Sequence, residues 1–461
     1  MSSAPIPRHE FCNESATVRR AIGPRRVART PFLSALFSAL FLTAVCQGQS
    51  TVDSVITTGL SDPRSVTLFE NNLYIADSGN HRVLKYAPDT GVLSAVAGVT
   101  GVAGSNNGPG FLARFFSPKA LVPGFGGLVV ADSDNHMLRL INLSGTIPLV
   151  TNLAGATRTA GFVTNEINTV GVPALDARFN TPIGLAAAGN DNIFIADSKN
   201  NAIRLLTRID GALKVLTVAT GFLEPTAVAV GDQEGSELDL YVADTRNHSI
   251  HLIRFDIATH QMTTNRLSGG LAVPAVIAGS TNRSSGAVDS LFGEEALFNL
   301  PSALFWSGAN VGLIVSDTGN HTLRRVYKDP LFQDPLFQNP DILQFFDRTD
   351  VTNRFSVTTY AGQAGQPGLQ NGPLAEALFR SPSALIRDPE GDLLIADSGN
   401  NALRRIQISP RLPPVPDPSI GWVDFVLDEI TGQVVTSLVP FTDAVFNNEV
   451  TIAILPAAGA K

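Results

Sequence analysis

Six times along the chain a short apolar run gives way to Asp, a hydroxyl residue and Asn. The copies are Leu73-Tyr-Ile-Ala-Asp77-Ser-Gly-Asn80-His81, Leu128-Val-Val-Ala-Asp132-Ser-Asp-Asn135-His136, Ile193-Phe-Ile-Ala-Asp197-Ser-Lys-Asn200-Asn201, Leu240-Tyr-Val-Ala-Asp244-Thr-Arg-Asn247-His248, Leu313-Ile-Val-Ser-Asp317-Thr-Gly-Asn320-His321 and Leu393-Leu-Ile-Ala-Asp397-Ser-Gly-Asn400-Asn401. The apolar run reads as a buried strand. The polar residues after it read as a tight turn, because short Asx and hydroxyl side chains bond nearby amides and tolerate left-handed geometry. A second strand follows, as in Ala202-Ile-Arg-Leu-Leu206 and Ala402-Leu-Arg-Arg-Ile406, where apolar and basic residues mix as in a half-buried strand.

Two further strands complete the unit. Upstream of each Asp stands a proline, Pro63, Pro118, Pro182, Pro225, Pro301 or Pro382, at spacings of 14, 14, 15, 19, 16 and 15 residues. That distance holds one strand and a short loop, with proline as the strand's first residue, where its missing N–H is not needed. Downstream lies an apolar strand ending in glycine: Val92–Gly98, Leu149–Gly155, Val215–Gly221, Val273–Gly279 and Ser356–Gly362. Six units of four strands, with no helical period, predict an all-β fold, a six-bladed β-propeller. The sixth unit has no fourth strand of its own. Val52-Asp-Ser-Val-Ile-Thr-Thr-Gly59 matches the other fourth strands and is expected to complete that blade, closing the ring and hiding two sheet edges.

The motif apolar-x-x-Ala-Asp-x-x-Asn-His resembles the NHL repeat family of propellers. So does a lead-in of Ala-x-Phe, each Phe three residues before its proline: Ala113-Arg-Phe115, Ala177-Arg-Phe179, Ala296-Leu-Phe298 and Ala377-Leu-Phe379. The resemblance spans roughly residues 50–410. Blades one and four lack the lead-in, and Asn201 and Asn401 stand where the family prefers His. The resemblance implies the fold and says little about function, since the family includes scaffolds, adhesion modules and a few enzymes.

The repeat-to-repeat Asp spacings, 55, 65, 47, 73 and 80, vary mostly in the later connections. Four long loops, 99–117, 156–181, 280–300 and 363–381, are expected on the same face as the Asp turns. They form the candidate binding face or, alternatively, connectors packed over the blades. Lys328–Asn353 is an insertion expected on the opposite face, with a tandem of Pro-Leu-Phe-Gln that either docks a partner or folds back on the rim. A Pro-rich linker, 410–418, leads to a β-rich appendage at 419–461, with apolar runs Gly421–Leu427, Val434–Val439 and Glu449–Leu455. This segment is small for an independent core. It reads either as an incomplete sandwich module or as a lid on the ring.

At the other end, residues 1–48 combine an arginine-rich stretch, a 15-residue apolar run (Pro31–Val45) and small or polar residues after it. This reads as a secretory signal peptide, with a retained anchor as the alternative. Cleavage there removes both cysteines, Cys12 and Cys46, so the mature chain has neither disulfide nor thiolate. The leader carries six Arg and two Glu, a net of +4, so the chain's −8 becomes −12 without it. An acidic exported protein carries no electrostatic footprint for nucleic acid.

The recurring polar residues are tempting as chemistry. His81, His136, His248 and His321 share one repeat position, which spreads them around the ring rather than onto one ion. Asp77, Asp132, Asp197, Asp244, Asp317 and Asp397 are read as structural turn acceptors for the same reason. No Ser-His-Asp set stands out, and no catalytic, metal or cofactor residue is expected. The family's amidating lyases use a histidine-bound zinc, and no histidine set here rebuilds it. Calcium-dependent lactonase propellers place carboxylates around the central channel, whereas the inner strands here offer almost none. Arg64 and Lys119, just after the prolines of adjacent blades, mark a candidate anion-binding spot at the channel mouth. The sequons at Asn142 and Asn282 matter only in a host that glycosylates exports. The expected function is a non-enzymatic binding or scaffold propeller outside the cytoplasm, with a protein or carbohydrate partner and no membrane span in the mature chain. The alternatives are a metal-dependent lactonase or lyase, and a structural segment of a larger surface protein.

Overall fold

The computed structural model describes residues 50–162, 170–263, 273–328 and 355–407, and the backbone of two strands, Gly421–Leu427 and Val434–Pro440. The leader at 1–48, the body of the insertion that follows Lys328, the linker at 410–418 and the run Glu449–Leu455 lie outside the described residues. Gly421–Leu427 and Val434–Pro440 pair antiparallel, Trp422 opposite Val439.

Six antiparallel sheets form the ring. Blade one runs outward from the axis as Pro63–Phe69, Asn72–Asp77, Arg82–Ala87 and Val92–Ala97. The other blades repeat this order, with inner strands Pro118–Gly124, Pro182–Ala187, Ala227–Glu234, Pro301–Trp306 and Pro382–Arg387. In blade four the strand begins two residues after Pro225, so the expectation of proline as its first residue fails there; the amide of Thr226 already bonds the carbonyl of Ala243. The sixth blade takes Thr51–Ile56 as its outer strand, antiparallel to Ala402–Ile406 with Val52 opposite Ile406. The ring is therefore closed by the first strand of the propeller.

Four blades carry five strands, blade four by the short strand Gln261–Met262 and blades two, three and six by a segment of the preceding loop. The lead-in loops contribute Gly108–Pro109, Val172–Pro173 and Gly372–Pro373, each paired to the outer strand of its own blade. The core lies between neighbouring sheets. Phe194 and Leu205 of blade three meet Leu240, Val242 and Phe255 of blade four, all essentially without exposure. Each such side chain contributes roughly 1.5–3 kcal/mol on burial. Near the axis the inner strands approach so closely that a Cβ on Gly184 would lie 2.4 Å from the carbonyl oxygen of Thr226.

One expectation for the third strands is corrected. Arg204 and Arg404 are not on a half-buried face; both are fully buried, as are Arg139 and Arg324 at the same repeat position. What they bind explains why.

Candidate functional site

Each Asp-Ser/Thr-x-Asn turn is a 3-10 turn followed by a residue in the left-handed region, His81, His136, Asn201, His248, His321 or Asn401, at φ of 52–62°. The turn aspartates are buried, and each does the same work. One oxygen accepts the backbone N–H two residues before the blade's proline, at 2.6–2.7 Å, from Ser61, Phe116, Asn180, Leu223, Asn299 or Arg380. The other accepts the side-chain amide of the turn Asn at 2.7–2.9 Å. That second oxygen also meets a basic side chain. In blades two, three, five and six it is Arg139, Arg204, Arg324 or Arg404, at 2.9–3.2 Å. Blade one uses Arg82 at 2.7 Å, and blade four places His251 3.3 Å away. Burial raises the carboxyls of Asp132, Asp197 and Asp317 to about 6, against the pull of these bonds. With a guanidinium in contact, each is ionised at neutral pH.

The residue after the turn reaches across to the next blade. Nδ1 of His81, His136, His248 and His321 accepts the N–H of Ser117, Thr181, Leu300 and Ser381 at 3.1–3.2 Å. Asn201 and Asn401 do the same with their amide oxygens, taking Glu224 at 2.8 Å and Asp62 at 2.7 Å. Every donor is the residue before a proline, held at φ of 47–54°. The turn hydroxyls add a second bond across the same boundary. Thr245 donates to the carbonyl of Pro301 at 2.8 Å, Thr318 to that of Pro382 at 2.6 Å, and Ser398 to that of Pro63 across the closure.

The buried arginines also pin the long loops. Arg139 donates to the carbonyls of Asn106 and Arg114 and to the side chain of Asn107. Arg324 reaches Val288, Leu297 and Asp289, and Arg404 reaches Gln370, Leu378 and Asn371. Their guanidinium groups lie over the rings of the lead-in phenylalanines. Arg139 lies 5.2 Å from Phe115, Arg324 5.0 Å from Phe298 and Arg404 5.3 Å from Phe379. Where the arginine is replaced by His251, Phe222 meets the imidazole edge-on at 5.4 Å.

The central channel opens among these turns. It is a cavity of about 160 Å³ lined by all six inner strands. Its mouth is ringed by Arg64, Lys119, Ile183, Thr226, Ser302 and Ser383, with small residues such as Ala120 and Gly184 next and Val66, Leu121 and Leu304 deeper. Arg64 and Lys119 are thus brought to one opening, each with an aspartate: Arg64 pairs with Asp62 at 2.8 Å, and Lys119 stands 3.9 Å from Asp134. Burial lowers the pKa of Lys119, opposed by the charge of Asp134. On the adjoining rim, Arg246 pairs with Glu224 at 2.9 Å. On the blade five and six side, Arg380 lies against Gly399 and its charge acts on His321. Such a mouth can seat a polar or anionic group against paired cations while an apolar wall lies beneath it. Among the described residues, no group of three His, Cys, Asp or Glu is placed to hold a metal ion.

The family model of the NHL repeat matches residues 60–86, from Leu60 through the third strand of blade one. No curated protein matches the sequence. Among solved structures, an auxiliary nutrient binding protein from Bacteroides thetaiotaomicron VPI-5482 is similar with a TM-score of 0.54 at 13% identity, covering 78% of this chain and 76% of its own. One from Bacteroides ovatus ATCC 8483 is similar with a TM-score of 0.51 at 16% identity, covering 78% and 77%. At these identities the likeness is one of fold.

Proposed function

We propose that this chain, an NHL-repeat β-propeller, is a non-enzymatic binding scaffold working outside the cytoplasm, and that its ligand side is the face of the Asp turns and long loops. The observation that carries this reading is the employment of the repeat's polar residues. The six aspartates, the turn asparagines and the His or Asn after them are spent on joining blades and holding loops. Apart from Ile183, the residues left facing the opening are small, hydroxylated or paired charges, a lining that suits recognition. Loops already pinned by Arg139, Arg324 and Arg404 have little ordering entropy to lose when a ligand arrives, which favours binding by a preformed surface. Propellers of this fold described as nutrient binding are in keeping with the reading. Arg64 and Lys119 are the proposed anchor for an anionic or polar group of a carbohydrate or protein partner. The leader at 1–48 is the proposed export signal, 410–418 the proposed linker and 419–461 the proposed appendage.

The test is metal content of the purified protein, with melting temperature before and after chelation, alongside a glycan array. No stoichiometric metal, no thermal shift on chelation and a glycan signal weakened in Arg64→Ala/Lys119→Ala is the expected result. A stoichiometric divalent ion whose removal lowers the melting temperature, or glycan binding indifferent to both substitutions, overturns it.

A further inference from the structure

Four of the six blades show how this fold treats the outer edge of a sheet, and blades one and four depart from it. In blade two the outer strand starts with Leu149 and Val150, paired antiparallel with Pro109 and Gly108. In blade three Lys214 and Val215 face Pro173 and Val172, and in blade six Thr51 and Val52 face Pro373 and Gly372. In blade five Ser290 bridges to Val357. Blade four, whose connection from Thr220 to Ala227 is equally short, has no strand on the outer edge of Ala275–Gly279 among the described residues; its short strand Gln261–Met262 pairs with Ser249–Asp256 instead. Blade one ends at Val92–Ala97, and among the described residues no strand pairs with its outer edge.

The vacancy has a side-chain counterpart. Val52, Val150, Val215 and Val357 occupy one repeat position and are each 0% exposed. Leu93 occupies that position in blade one and is half-buried, between exposed Val92 and exposed Ser94 and Ala95. The cause is the connection before Pro63. Only six residues, Thr57–Asp62, join the outer strand of blade six to blade one, too few to supply the extended lead-in that the longer loops provide. The following loop covers only the far end, where Gly98 donates to the carbonyl of Gly110. The open stretch, Val92–Ala95, carries no charge and no proline, the usual protections of a free edge.

We propose that the outer edge of blade one, at Val92–Ala95, is an acceptor for an extended peptide segment of a partner protein bearing a small residue followed by proline. It adds antiparallel as the missing outermost strand. The sister blades define the occupant: Gly-Pro, Val-Pro and Gly-Pro fill the same place, with proline opposite the residue before the buried valine, Leu149, Lys214 or Thr51. Proline suits an outermost strand because one side of it faces solvent and needs no donor. Main-chain bonds supply affinity in this mode and the contact with Leu93 supplies selectivity. The site lies on the rim, apart from the channel mouth.

The experiment is amide hydrogen exchange on the purified chain with a synthetic peptide of residues 105–113, Ser-Asn-Asn-Gly-Pro-Gly-Phe-Leu-Ala, and its scrambled form as the control. The expected result is at least tenfold slower exchange confined to Val92–Ala95 with the lead-in peptide and none with the scrambled one. The protection is lost in Leu93→Lys, whose other blades keep wild-type exchange. Protection before any peptide is added at the outward-facing amides of 92–95, those not already bonded to Arg82–Ala87, overturns the proposal by showing an edge already covered by the chain itself. Protection rising with protein concentration alone overturns it in favour of a second copy. Absence of peptide protection at millimolar concentration overturns it outright. None of these outcomes touches the channel-mouth reading, which stands or falls on Arg64 and Lys119.

Discussion

The imidazole of His136 accepts the backbone N–H of Thr181 through Nδ1 at 3.1 Å, so the joint between blades two and three hangs on an unprotonated nitrogen. Burial lowers the pKa of His136, and likewise of His248 and His321. The unfolded chain then binds more protons below the ordinary histidine pKa, so the stability these joints give is present above about pH 6.5 and lost as pH falls through the window beneath it. The raised aspartates act with the opposite sign, the folded state holding more protons between about 6 and 3.8. A differential measurement separates the two. The triple variant His136→Asn/His248→Asn/His321→Asn keeps an acceptor, as Asn201 and Asn401 do, and removes the proton site. Between pH 7.5 and 5.5 its melting temperature is expected to fall less than that of the wild type; parallel curves would refute the role of the imidazoles.

The closure is the same joint made between chain ends. Asn401→Ala removes the acceptor for Asp62 and a residue suited to the left-handed region, and is expected to lower stability by about 1–2 kcal/mol in urea titration. Asn401→His is expected to stay within about 0.5 kcal/mol of wild type at pH 8, because four sister turns use histidine there.

Arg139→Met strands a buried carboxylate at Asp132 and is expected to cost about 3–5 kcal/mol. Asp132→Asn/Arg139→Met is expected to lose less than the two single changes summed, a coupling readable in a double-mutant cycle. Arg208→Met, whose partner Asp191 at 3.7 Å is as exposed as the arginine itself, serves as the comparison and is expected to change stability by less than about 1 kcal/mol.

At the channel mouth the aspartates mask the cations. Asp62→Asn/Asp134→Asn leaves Arg64 and Lys119 unmatched and is expected to tighten binding of inorganic phosphate by about tenfold at low salt, with the gain fading as salt rises. Calorimetry at two ionic strengths checks both halves; an unchanged affinity would show that the pair does not converge on a common anion.

The blade count, the strand order and the closing role of Val52–Ile56 were legible because each rests on a period or a motif that recurs. The buried arginines were not legible, because a basic residue among apolar ones in a strand looks amphipathic when one copy is considered at a time. The signal was present in alignment of the copies: Arg stands seven residues after Asp132, Asp197, Asp317 and Asp397, the four blades with an Ala-x-Phe lead-in, and Leu84 and His251 stand there in the two without. Phe and Arg travel together because one lies over the other. The lead-in strands carry no sequence signal, since two residues, such as Gly108–Pro109, are too few to show alternation. Arg64 and Lys119 could be placed at one opening from the repeat alone, but their aspartates could not, since Asp62 and Asp134 sit on different segments of different blades.

The strand that finishes the ring is made first. Thr51–Ile56 leaves the ribosome with its partner, Ala402–Ile406, still to be translated, and Asp62 waits 339 residues for Asn401. At about 5–20 residues per second that interval is roughly 17–70 s. During it, five blades can assemble in order while an apolar strand at the front has nothing to pair with and the fifth blade has an uncovered face. The chain is most open to misassociation just before it is complete, so conditions that keep a nascent chain extended, such as threading through a membrane pore or capture by a chaperone, would raise its yield more than any improvement of the finished core.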